Sequence, residues 1–198
     1  MKKMNSKGFT LIELLAVITI MGILMLVAIP AVSRTIENSR RDTYVDTAKT
    51  YVNAIKNAVA SDEIECFKDA TDKTAGKYTI MSALPQSGTS NIYVYRFSTG
   101  GVNSLAATTA SDLLEQGGKS SWGNAEVAGV IKIEKTVGTN GRTSYKYSVK
   151  MVDAGGRGFD SYKAEDSLRR TDVATSGLTT YNSVTNLGSG ELDCRIIV

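Results

Sequence analysis

Hydrophobic positions fill the chain from Phe9 to Val32 with one ionisable exception, Glu13, and beyond Arg34 the pattern changes character instead of ending. As a helix, residues 9–33 measure about 37 Å at roughly 1.5 Å per residue, enough to cross a hydrocarbon core of about 30 Å. From there Val45, Ala48, Val52, Ile55 and Val59 recur at steps of three and four, Tyr44 and Tyr51 widen the stripe, and Arg40, Arg41, Asp42, Asp46, Lys49, Asn53 and Lys56 occupy the rest. That is the pattern of an amphipathic helix with one buried face. The two stretches predict one helical spine ending near Ser61, roughly 75 to 80 Å long if continuous. Gly22 and Pro30 interrupt it: glycine costs about 1 kcal/mol relative to alanine inside a helix, and proline removes a backbone hydrogen bond and crowds the preceding turn. Both are expected weak points. Glu13 has no basic neighbour within the apolar run, so a carboxylate that is costly to place in lipid calls for a partner from outside the segment.

After the spine the period changes from that of a helix to that of a strand. Ile131 and Ile133 alternate with Lys132 and Glu134 inside Val127–Val137, and Tyr145, Tyr147, Val149 and Met151 alternate with Ser144, Lys146, Ser148 and Lys150. Gly138-Thr139-Asn140-Gly141 stands between them, and Asn-Gly is a strong hairpin-turn signal. Ile92 to Phe97, Leu192 to Val198 and, more weakly, Lys77 to Met81 are further strand candidates. Short helices are expected over Ser111 to Gln116 and around Tyr162 to Arg169. The segments Gly100 to Thr109, Asp153 to Gly158 and Thr171 to Gly190, rich in Gly, Ser, Thr and Asn, read as surface loops. The expected class is α+β, a long helix with its stripe packed on one face of a mainly antiparallel sheet, and residues 62–198 suffice for one domain of ordinary size.

Charge supports a division at the start of the chain. There are 23 Lys plus Arg against 20 Asp plus Glu, yet Lys2, Lys3 and Lys7 all precede Gly8, so a chain beginning at Phe9 carries equal numbers of each sign. Those lysines fit an orientation with the start of the chain in the cytoplasm and the bulk outside. No clear small-residue cleavage site follows the apolar run, as an ordinary secretory signal requires. The balanced remainder offers no basic stripe for nucleic acid.

Gly8-Phe9-Thr10-Leu11-Ile12-Glu13, with its short basic leader and following apolar helix, resembles the processing signature of the type IV pilin and pseudopilin family. The resemblance covers about the first sixty residues. It implies the pilin fold, cleavage after Gly8 by a prepilin peptidase that also methylates the new amino terminus at Phe9, and a mature helix retained in the membrane. It also implies that Glu13 meets the amino-terminal ammonium of Phe9 on a neighbouring subunit, and that the stretch between Gly22 and Pro30 can lose helicity on assembly. The expected organisation is a cleaved leader over 1–8, a membrane-spanning and filament-core helix over 9–33, its amphipathic continuation over 34–61 and an extracytoplasmic headgroup over 62–198. Expected partners are other pilin subunits, the peptidase and methyltransferase, the assembly platform with its ATPase, and the membrane, with the assembled fibre at the cell surface. The implied function is structural, that of a type IV pilus subunit. A secretion or competence pseudopilin and a monomeric membrane-anchored binding module are the alternatives.

Outside the cytoplasm a disulfide persists, and Cys66 and Cys194 are the two cysteines present; they are expected to pair, with two separate buried thiols as the alternative. Family members commonly pair two cysteines near the carboxyl terminus, a pattern from which this spacing departs. Catalysis is not expected: there is no histidine, hence neither the usual neutral-pH base nor the commonest zinc ligand, and no nucleophile-elbow motif occurs. Asp153-Ala154-Gly155-Gly156-Arg157-Gly158 superficially resembles a phosphate loop but lacks the lysine and hydroxyl that P-loops use. Asp153 and Asp160 are a weak calcium signal without EF-hand spacing. No cofactor is expected.

Overall fold

The protein is described by a computed structural model, which covers residues 10–67, 78–79, 90–98, 119–123, 125–178 and 191–196. One helix, α1 (Leu11–Ala60), carries both halves of the predicted spine. The chain divides into two compact units, Met1–Ser39 and Arg40–Val198, so the amphipathic half of α1 belongs to the same unit as the strands.

In the first unit the apolar helix is bare. Leu11 is 85% exposed and Leu26 80%, and this is the one described helix long and apolar enough to cross a membrane. Helical structure persists through Gly22 and Pro30. Pro30 has no N–H to give the Leu26 carbonyl, while just beyond it the Ser33 and Thr35 hydroxyls donate back to the carbonyls of Ile29 and Ala31 at 2.9 and 3.1 Å.

The second unit is a nine-stranded sheet, counted among the described residues, with the rest of α1 on one face. Its strands are β1 (Ile64–Phe67), β2 (Tyr78–Thr79), β3 (Ser90–Ser98), β4 (Val127–Val137), β5 (Thr143–Asp153), β6 (Gly158–Phe159), β7 (Lys163–Ala164), β8 (Val173–Ala174) and β9 (Leu192–Ile196). They lie in the order β2-β1-β9-β3-β4-β5-β6-β8, with β7 added against β5. Every pairing is antiparallel except that of β3 with β9. The predicted hairpin is β4–β5, in register from Val127↔Asp153 to Val137↔Thr143. Its turn is held by the Gly138 N–H on the Arg142 carbonyl and the Arg142 N–H on Asn140 Oδ1, at 2.9 and 3.1 Å.

All seven stripe residues named from the helical period are buried, joined by Ala58. They pack on Tyr93, Tyr95 and Phe97 of β3, Ile131 and Ile133 of β4, and Val149 and Met151 of β5. Phe97 stacks on Tyr51 with ring centroids 4.4 Å apart. Gly129, opposite Phe97 in the ladder, admits that ring: a Cβ on Gly129 would lie 2.4 Å from Phe97 Cζ.

Two expectations need correction. Around Tyr162 to Arg169 there is no α-helix but β7 followed by a single 3₁₀ turn, Glu165–Ser167. Its apolar residues serve separate purposes: Leu168 joins the main core, while half-buried Tyr162 and Leu178 cover Val94, Val130 and Val152 on the sheet's other face. The loop expected over Thr171 to Gly190 begins with the end of a second 3₁₀ turn, Arg170–Asp172, and then β8, where Val173 is buried. β1 was not anticipated. The short helix expected over Ser111 to Gln116 and the loop over Gly100 to Thr109 lie outside the described residues.

Burial makes several tyrosines costly to ionise. Desolvation raises the Tyr44 phenol well above its ordinary value, with Asp153 adding to the effect, and raises Tyr51 with help from Tyr95. Burial, then Tyr145 and Glu165, push Tyr147 up to about 12. A group whose folded pKa is raised contributes stability that is complete below its unfolded value near 10 and is lost as pH rises past it. The detergent-solubilised protein is expected to keep a constant melting temperature from pH 7 to about 9 and to melt progressively lower above about 10. Phenolate absorbance of the buried tyrosines should rise together with the loss of near-ultraviolet dichroism; complete titration near pH 10 with dichroism unchanged would contradict this.

Candidate functional site

Thr10 and Glu13 form the start of α1. Thr10 is the last residue before the helix, and its N–H and its hydroxyl both donate to Glu13 Oε2, each at 2.8 Å. The Glu13 N–H points back to Thr10 Oγ1 at 3.4 Å. This is a capping box, in which a threonine and a glutamate three residues later satisfy each other's backbone donors. The carboxylate thus has two neutral hydrogen-bond donors in its own segment but, among the described residues, no countercharge. The signal was present as Thr-x-x-Glu ahead of an apolar run, but it was read only for the glutamate's charge. Gly8 and Phe9 lie outside the described residues. Gly22 is exposed, and a Cβ built on it would meet nothing within 4 Å.

Cys66 and Cys194 form a disulfide across a sequence separation of 128. They face each other directly in the antiparallel β1–β9 ladder, and both are buried. β1 follows the end of α1 by a short turn, so the bridge ties the exit of the helix to the last strand. β9 in turn is paired to β3 and through it to the hairpin.

The segment resembling a phosphate loop folds around an anion of its own. Asp153 is fully buried. Its Oδ1 accepts the N–H groups of Gly155 and Arg157, each at 2.9 Å, and its Oδ2 accepts Ser120 Oγ at 2.7 Å and Arg157 Nε at 2.9 Å. The backbone cradle that binds phosphate elsewhere is filled here by the aspartate that begins it, in the manner of an Asx turn. Asp160 serves a different set of groups, Ser161 and Lys163, and the Ser161 hydroxyl followed by the Lys163 charge holds its carboxyl below the usual range. The two aspartates thus have separate partners, and among the described residues no three His, Cys, Asp or Glu side chains gather as a metal site.

The Asp153 knot fastens α1 to the sheet. The Arg157 guanidinium lies 5.5 Å from the Trp122 ring centre, and Tyr44 is 5.6 Å from both Trp122 and Phe159, centroid to centroid. Ser121 donates to the Arg40 carbonyl at 2.8 Å. Gly158 sits where φ is +143°, and a Cβ there would lie 2.1 Å from the Met151 carbonyl oxygen and 2.8 Å from the Tyr44 hydroxyl. Removing the aspartate leaves a partly buried guanidinium without its partner, a change that costs about 3–5 kcal/mol in comparable buried pairs. Asp153→Ala is expected to lower the urea midpoint accordingly, with processing at the amino terminus unaffected; an unchanged midpoint would assign the fastening elsewhere.

Residues 3–29 match the prokaryotic N-terminal methylation motif. A fimbrial protein of Moraxella nonliquefaciens is 33% identical over 129 residues, which cover 57% of this chain and 81% of that protein. No solved structure gives a significant match. The motif falls on the segment holding Thr10 and Glu13, the relative is matched over most of its length, and the α+β architecture of one long helix on an antiparallel sheet agrees with both. The chain belongs to the type IV pilin family.

Proposed function

We propose that this pilin is cleaved after Gly8, methylated at Phe9, held in the membrane by its apolar helix, and then polymerised through that helix into a surface fibre. The observation that carries the reading is the bare apolar half of α1, from Leu11 to Val32, with a single carboxylate near its start. Such a surface needs either lipid or other helices around it. Lipid serves before assembly and a bundle of neighbouring subunits after it. In the bundle the Glu13 carboxylate meets the Phe9 ammonium of an adjacent subunit. An ion pair in an apolar surrounding is far less costly than either charge alone.

The machinery that this life cycle needs is a prepilin peptidase with methyltransferase activity, an assembly platform and its ATPase. Gly22 and Pro30 bracket the stretch of α1 most easily unwound when helices crowd together, because one lacks a side chain and the other a backbone donor. The Moraxella relative is itself a fimbrial protein, which favours a fibre over a secretion pseudopilus. Sheared surface material from cells carrying the intact chain tests the proposal. Antibody against residues 127–153 is expected to label fibres along their length, and the mass of the extracted subunit should correspond to a chain beginning at methylated Phe9. Unlabelled fibres, or a subunit that retains residues 1–8, would overturn it.

A further inference from the structure

Asn140 is the one asparagine in the chain followed directly by glycine, and it stands with Gly141 and Arg142 on the exposed tip of the β4–β5 hairpin. Its side-chain Oδ1 accepts the Arg142 N–H at 3.1 Å, and the Gly141 N–H donates to the Gly138 carbonyl at 2.9 Å. The first contact holds the Asn140 amide alongside the Gly141 nitrogen, as an Asx turn does. No side chain crowds that nitrogen. Gly141 has a φ of +75°, where glycine is at ease, and a Cβ built on it would meet nothing within 4 Å. We propose that Asn140 is a site of self-modification, at which the Gly141 nitrogen displaces the side-chain amide and the native hairpin tip gains an acid as the protein ages.

The step balances with water as its co-reactant. Hydroxide removes the Gly141 amide proton, the nitrogen's electron pair forms a bond to Asn140 Cγ, and the carbonyl pair moves onto Oδ1. Charge therefore develops on the atom that already accepts the Arg142 N–H, a donor standing where the intermediate needs one. Collapse of the intermediate breaks the Cγ–Nδ2 bond, and Nδ2 takes a proton from water and leaves as ammonia. Water then opens the cyclic imide. Cleavage between the Gly141 nitrogen and Cγ gives aspartate, and cleavage between that nitrogen and the Asn140 main-chain carbonyl carbon gives isoaspartate; no group is oxidised or reduced. Either product sets a carboxylate next to Arg142, and isoaspartate also lengthens the main chain inside a turn that the Gly138 N–H and the Arg142 carbonyl close. One contact opposes the reaction. The hydrogen bond from Gly141 to Gly138 must open before the nitrogen can attack, which is expected to slow the step about fivefold relative to an unfolded chain.

The full-length protein in detergent at mildly alkaline pH, beside a urea-denatured sample, tests this by peptide mass and by isoaspartyl methyltransferase labelling. The native sample is expected to gain the mass of an amide-to-acid conversion at residue 140 before any other asparagine, at about one fifth of the denatured rate. The rate should rise in proportion to hydroxide. On isoelectric focusing the ageing protein should pass to the position of Asn140→Asp, whereas Asn140→Gln, whose larger imide ring closes far more slowly, should stay in place. A native chain that converts first at another asparagine, or that keeps the Asn140 amide while the denatured sample loses it, overturns the inference, because the turn would then be protecting the residue. An amide retained in both samples overturns it as well.

Discussion

Glu13→Ala is expected to yield a chain that is cleaved, methylated and resident in the membrane but incorporated into fibres roughly tenfold less or worse. The substitution removes the one carboxylate of the apolar run and, on the pairing proposed above, would leave the Phe9 ammonium of a neighbour unpaired in an apolar bundle. Part of the loss could come from a frayed helix start, because Glu13 also accepts the Thr10 N–H. Glu13→Gln separates the two effects. Glutamine serves in a capping box, so the helix start is retained while the charge is lost, and incorporation should fall nearly as far as with alanine. Quantitative immunoblotting of sheared fibres against membranes reads both variants. Full incorporation of Glu13→Gln would mean that the cap, and not the ion pair, is what assembly requires.

What was legible from the amino-acid sequence is whatever depends on a period. The helical stripe from Tyr44 to Val59 was readable because a rod with one apolar face repeats every three or four residues, and the sheet buries those positions. The β4–β5 hairpin was readable because alternation and an Asn-Gly turn agree, and its bounds match within one residue at each inner end. What was not legible is whatever depends on a contact between distant segments. β1 has only four residues, too few for alternation to rise above chance, and it is a strand because β9 lies beside it. Residues 161–178 look helical or irregular in isolation, yet Tyr162 and Leu178 cover Val94, Val130 and Val152 while Leu168 and Val173 enter the main core. That cover also explains why Val127 to Val130 is a continuous buried run at the base of a hairpin whose tip is exposed.

At the candidate site the same division holds. The pairing of Cys66 with Cys194 was expected from compartment and number, whereas their position directly opposite one another in a ladder was not. The glycine-rich turn after Asp153 was set aside as a phosphate loop for want of a lysine and a hydroxyl, but that its backbone donors close on the chain's own aspartate was not legible. A buried carboxylate with all of its acceptors occupied, as at Asp153, reads as fold, whereas the exposed Glu13 carboxylate is held only by Thr10 among the described residues. Position along the chain does not distinguish these two cases; the donors around each carboxylate do.

Breaking the disulfide is expected to produce the largest loss of headgroup stability. Cross-linking residues separated by 128 positions restricts the unfolded chain by nearly 5 kcal/mol in the chain-entropy treatment. The topology indicates where the loss will be felt first. Among the described residues, β2 and β1 reach the rest of the sheet through β9, and β9 reaches it through a short parallel pairing with β3, from Tyr93↔Leu192 to Tyr95↔Cys194. Without the covalent link, this edge is held by the short β1–β9 and β3–β9 ladders and by the packing of Ile64 and Leu192 on the core, while the β4–β5 hairpin keeps an eleven-pair ladder of its own. Cys194→Ser, and equally Cys66→Ser, is therefore expected to expose the β1 and β9 amides to hydrogen exchange well before those of β4 and β5, and to lower the urea midpoint of the whole headgroup. Reduction of the unaltered protein should reproduce both effects. Uniform exchange across the sheet in the variants, or a midpoint unmoved by reductant, would show that noncovalent contacts already hold this edge. In the fibre proposed above, a pull on α1 would reach β1 first, and the bridge at this register joins β1 to β9 directly, which would pass that force on toward β3.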